Sequence, residues 1–156
     1  MADLRYTGQA ARTNMLGIYV PRTAATLPAT ATTTYFTVAG GLCLITMLIG
    51  EVTTICSGTA TTIQWTSTPT TGTAVTFTGT TAVTSKEAGA LISMIGPALT
   101  TGISVQDAGA VVASAMQGVA VPIGNLGLTT SATNTGATKW RLYYIPLDDG
   151  ASIVAA

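Results

Sequence analysis

Asp148 and Asp149 are the only adjacent carboxylates in the chain, and they invite a chemical reading first. As an acid–base pair they are poorly arranged, because neighbours in a strand point to opposite faces. As calcium ligands they lack the alternating oxygen donors of a DxDxDG-like loop. Followed by Gly150, the pair reads instead as a turn. Ser and Thr hydroxyls abound, yet the chain holds no His, the side chain whose ordinary pKa suits proton transfer near neutrality. Neither a GxSxG elbow nor an SxxK pair supplies a nucleophile with its base, and the phosphate-loop pattern GxxxxGK[ST] is missing. The residues point to a protein that is not an enzyme and has no cofactor.

Cys43 and Cys56 form no CxxC and have no His to complete a metal set, so no metal is expected. Set among apolar neighbours, they read as buried reduced thiols. A disulfide across a hairpin centred near Ile49–Gly50 is the alternative. Trp65 and Trp140 could stack on sugars or bases, but each alternates with other residues in strand-like sequence, which favours a core position. Arg141 reads as part of a solvated face, with Asp148 or Asp149 as a conceivable partner.

These groups must be held by one domain, since the chain has 156 residues and 15.7 kDa. Only 8% of it is charged, its net charge is +0 and its hydrophobic fraction is 47%. That combination excludes a disordered chain. The scattered cations give no basic stripe for nucleic acid. The longest apolar run, Val38–Gly50, is shorter than the roughly 20 residues needed to span a bilayer, so no membrane partner is expected. The N-terminal stretch has no apolar core of a signal peptide, which suggests a cytoplasmic origin.

From Thr32 onward the pattern is β. Thr32–Val38 is rich in β-branched and aromatic residues, and Leu42–Ile49 is an apolar run continued after Gly50 by Glu51–Cys56, with a bulge or bend expected at the glycine. Thr61–Thr66 and Thr73–Thr78 flank a turn containing Pro69 and Gly72, with Ile63, Trp65, Val75 and Phe77 facing a core. Further strands are expected at Val111–Ala115, Val119–Ile123 and Leu128–Thr133. Thr138–Ile145 puts Trp140, Leu142 and Tyr144 on one side and Lys139, Arg141 and Tyr143 on the other, and Ala151–Val154 returns as a closing strand. The one helix expected begins at Thr84, with Glu87 completing a capping box, and ends before Gly96–Pro97. The fold class is therefore all-β: an antiparallel β-sandwich or barrel-like domain over residues 32–156, with at most one short helix. Residues 1–31 hold three cations and no sustained periodicity, and they read as an extended N-terminal arm; a loop packed on its own domain is the alternative.

The exterior left by this assignment is mostly Thr, Ser, Gly and Ala. Isolated soluble domains defend their surfaces with Lys, Glu and Asp. Short side chains lose little rotamer entropy when immobilised, so such a surface is easily covered by neighbours. The stretches YFTVAGGLCLITMLIGEVTT (Tyr35–Thr54) and ATKWRLYYIPLDDGASIVAA (Ala137–Ala156) resemble small structural proteins of tailed bacteriophages, of the capsid-decoration or cement type. The resemblance implies a β-rich, commonly trimeric subunit on the virion surface whose partners are the major capsid protein and its own copies. It also implies a capsid-contacting arm, here Arg5, Tyr6, Arg12, Tyr19 and Arg22. The alternatives are another virion component, such as a tail-tube, connector or fibre-associated protein, and a carbohydrate-binding β-sandwich that would expose Trp65 or Tyr143.

Overall fold

The computed structural model describes residues 8–94, 103–106 and 118–156. Among the described residues one helix, α1 (Gly8–Leu16), precedes twelve strands. These are β1 (Ile18–Thr26), β2 (Thr32–Ala39), β3 (Cys43–Thr54), β4 (Thr62–Pro69), β5 (Val75–Thr76), β6 (Thr81–Ala82), β7 (Leu91–Met94), β8 (Ile103–Gln106), β9 (Val119–Val121), β10 (Gly124–Thr130), β11 (Ala137–Pro146) and β12 (Ser152–Ala155). All the pairings are antiparallel. The first six-stranded sheet has the order β1-β11-β3-β7-β8, with β9 also on β3; the second has the order β12-β2-β10-β4-β5, with β6 also on β4. Two antiparallel sheets packed together make the protein an all-β, sandwich-like domain.

Alternation along the strands creates the core. On β4, Ile63 and Trp65 are buried between partly exposed Thr62, Gln64 and Thr66. On β11, Thr138, Trp140 and Leu142 are buried between Lys139 and Arg141. Val75 departs from its expected place, being 52% exposed, while Phe77 is buried. Trp65 and Trp140 meet edge to face across the sandwich, centroids 4.9 Å apart, a geometry favoured by the ring quadrupoles. A β-bulge in β2 opposite Leu126 and Gly127 turns both Tyr35 and Phe36 inward, and both rings reach Trp65.

Gly50 is not a bend. β3 runs unbroken through it, paired with Trp140 on β11. A Cβ there would come within 2.8 Å of the Trp140 ring, so the glycine leaves the space that the indole fills. The unbroken strand also corrects the alternative pairing of the thiols. Cys43 and Cys56 lie at opposite ends of this rod, both free and both buried.

The helix expected after Thr84 is absent. Ser85 takes a positive φ of 54°, and the Thr84 hydroxyl accepts a hydrogen bond from the Thr61 amide at 3.1 Å instead of capping its own segment. Helix forms over Gly8–Leu16, where Ala10, Ala11, Arg12, Met15 and Leu16 favour it, and Gly17 ends it with φ 90° while donating to the Thr13 carbonyl. The segment expected as an extended arm contains β1, which pairs with β11 from Ile18↔Tyr144 to Thr26↔Ala137. That stretch is an edge strand of the domain, so no boundary separates it from residues 32–156. The strand expected at Val111–Ala115 lies outside the described residues, as do Arg5 and Tyr6.

Candidate interaction surfaces

The strands of the second sheet contain no Lys, Arg, Asp or Glu. Their inward residues fill the core, and their outward residues, set in rows by the register, are mostly hydroxyls and amides joined by the exposed Val75 and Val154. One row runs Val154, Thr37, Asn125, Thr68; the next is Thr34, Gly127, Thr66, Thr76; the third is Thr32, Thr129, Gln64. Neighbours bond laterally, with Thr32 and Thr129 hydroxyls 2.6 Å apart, Thr66 and Thr76 3.3 Å apart, and Thr37 donating to Asn125 Oδ1 at 3.3 Å. Cross-strand Thr contacts of this kind stiffen a sheet by about 0.2–1 kcal/mol each. The result is a pre-ordered, uncharged, polar platform.

The first sheet presents a different surface. Tyr19 on β1 lies opposite Tyr143 on β11, ring centroids 5.1 Å apart. Farther along the same two strands, Pro21, Thr23, Lys139 and Arg141 line a groove of about 200 Å³ with Tyr19 and Arg22. Tyr19 also belongs to the wall of a second hollow of about 390 Å³, with Arg12, Thr13 and Ile18. Glu51 on β3 is the facing carboxylate. It holds Lys139 Nζ at 2.8 Å and Arg141 Nη2 at 2.9 Å. The Lys139 hydrogen bond, assisted by Arg141, keeps the Glu51 carboxyl below its usual pKa despite partial desolvation. The Arg141 partner is thus Glu51 and not the Asp148–Asp149 turn.

Arg22 points toward the other sheet. Its guanidinium sits 5.0 Å from the Tyr35 ring centroid, a cation–π contact, and its Nε is buried without a hydrogen-bond partner among the described residues. Burial pushes the Tyr35 phenol above its ordinary pKa, against the smaller lowering effects of the Thr138 hydroxyl and Arg22. Of the residues expected on an arm, Arg12 on α1 and Arg22 on β1 each line a hollow with Tyr19, but not the same one.

The carboxylate pair does form a turn. Asp148 Oδ2 accepts the Leu42 amide at 2.6 Å, Leu147 donates to the Leu42 carbonyl at 2.9 Å, and Ala151 donates to the Asp148 carbonyl at 3.1 Å. Gly41 makes room for this contact, since a Cβ there would lie 2.6 Å from Asp148 Cβ. The chain then crosses to the second sheet, where β12 pairs with β2 and not with the strand before the turn. Burial raises both thiol pKa values, with the Asp148 charge adding to the effect at Cys43.

Trp65 and Trp140 are buried to 0% and 1% exposure, and Tyr143 to 8% beneath Tyr19, so the aromatic platform of a sugar site is not formed by these side chains. Among the described residues no group of three or more His, Cys, Asp or Glu could hold a metal ion, and no helix is long and apolar enough to cross a membrane. Sequence reasoning missed the Glu51–Lys139–Arg141 cluster, whose members lie far apart in the chain; its only signal was the i, i+2 spacing of two cations on one strand face. Compared with protein-family models, curated proteins and solved structures, the chain matches none.

Proposed function

We propose that the protein is a structural subunit of a bacteriophage virion, a decoration or cement protein that binds the major capsid protein on the outer surface of the shell and stabilises it, acting as a trimer after synthesis in the host cytoplasm. The observation that carries this reading is the outward face of the second sheet, which holds no ionisable side chain. Placing it against another protein strips no charge of its water. Its Thr side chains are already fixed by lateral hydrogen bonds, so little freedom remains to be lost on contact. Many such contacts on one lattice add up, because binding only the assembled shell stabilises it by mass action and multivalency. No turnover and no bound cofactor are needed for this role.

The test uses expanded heads that lack the protein. Added wild-type chain is expected to saturate them in three-fold clusters seen by cryo-microscopy and to raise their thermal disruption temperature. Six-fold rings on a tail tube would move the assignment to another virion component. Gln64→Lys with Thr68→Lys, which places charge on the platform, is expected to reduce occupancy about tenfold or more while the unfolding midpoint stays within the small range usual for surface changes. Absence of wild-type binding to any virion part would sink the proposal.

A further inference from the structure

We infer that the groove along β1 and β11 receives the Leu147–Gly150 turn of a second copy of the chain, with Asp149 meeting Arg141. Charge is distributed unevenly in this neutral molecule. Arg12, Arg22, Lys139 and Arg141 line the two hollows that share Tyr19, and Glu51 is the carboxylate bonded there. Asp148 and Asp149 sit together in an exposed turn instead. Arg141 and that turn are separated by the length of β11 beyond Arg141, roughly 17 Å at about 3.3 Å per residue, so a chain cannot fill its own groove with its own turn.

The two surfaces match in more than sign. Leu147, 49% exposed, projects next to the carboxylates, and Leu42 and Ile123 share a hollow with Asp148. The groove answers with Pro21 and the exposed ring of Tyr19. The turn is also prepared for docking. Asp148 is tied to the Leu42 amide, and the Leu42 carbonyl is tied to Leu147, which leaves Asp149 as the carboxylate of this turn that is exposed and not engaged in holding the loop. A rigid projecting loop loses less entropy on binding than a flexible one.

Groove and turn are different patches, so the contact is head to tail, and rings form where the rotation closes. Closure at three copies rests on the proposed function; the contact itself does not. The lateral contact would leave the uncharged platform of the second sheet for the shell.

The full-length chain is tested by sedimentation and native mass spectrometry over a range of concentration and salt. The wild type is expected to self-associate, less at high salt. Asp149→Arg and Arg141→Glu are each expected to weaken association about tenfold or more, and the charge-swapped double variant to recover it. Because Arg141→Glu also disturbs Glu51, a Pro21→Cys and Leu147→Cys chain, which keeps Asp149 and Arg141, provides a second readout: oxidation should link separate copies covalently. A wild type that stays monomeric, an Asp149→Arg chain that associates like the wild type, or a folded charge swap that remains apart would overturn the inference. Binding of a poly-glutamate peptide in the groove of a monomeric wild type would likewise overturn it, in favour of a foreign acidic partner. Oligomers that ignore phage heads would sink the virion reading and leave this contact standing; monomers that decorate heads would do the reverse.

Discussion

Gly50 and Trp140 show how a residue can be read for the wrong reason. A glycine inside an apolar strand suggests a bulge, and its presence here depends on an indole that arrives 90 positions later. Gly50→Ala is expected to destabilise the domain by about 1–3 kcal/mol, the usual penalty for overpacking, measurable as a lower urea midpoint with unchanged m-value. Asn134 gave no sequence signal. It is buried, accepting from the Ser57 and Gly136 amides at 2.9 Å and donating to Thr61 Oγ1 at 3.1 Å. Asn134→Ala strands these groups and is expected to lower stability by about 1–3 kcal/mol in the same measurement. Glu51 contributes a smaller, pH-dependent share. Its folded pKa is depressed, so the stabilisation is complete above the ordinary Glu value near 4.3 and fades as pH falls through the lowered folded value. The ion pairs are partly exposed and contribute at most about 1 kcal/mol; Glu51→Gln should remove that much at pH 7 and flatten the acid limb of the stability–pH profile.

At the scale of elements, strands written by strong alternation were legible. β4 and β11 fall where Ile63 and Trp65, or Trp140 and Leu142, alternate with polar residues. Elements decided by distant partners were not. β1 has a proline, small residues and no clear period, and it is a strand because the exposed edge of β11 gives its backbone a ladder. The Thr84 capping box failed because Thr61 takes the hydroxyl. The arm reading suggested that residues 1–31 could be removed without harm to the fold. With β1 in the sheet, deletion of residues 1–17 is expected to leave a cooperative two-state transition. Deletion of residues 1–31 should strip Val20 from the core, bare a long edge and give aggregating protein, as light scattering would report.

For the whole molecule, the sandwich was legible from strand density and turn chemistry, whereas the candidate site was legible only as composition. Scarcity of charge pointed to contact with other chains, but sequence alone could not separate the uncharged platform from the cationic groove, since each is assembled by register across strands remote in the chain. Both sheets share one feature of order. β11 lies between β1 and β3, and β10 lies between β2 and β4, so each sheet has an interior strand supplied by a segment made late. During synthesis, the hydroxyl rows cannot form before β10 is made, at residue 130, nor the tyrosine-flanked groove before β11 has passed Tyr143. Such a chain has no half-built surface with which to bind a partner too early: competence to associate is switched on when β10 and β11 emerge, and polysome-bound fragments that stop short of them should be inert toward finished subunits.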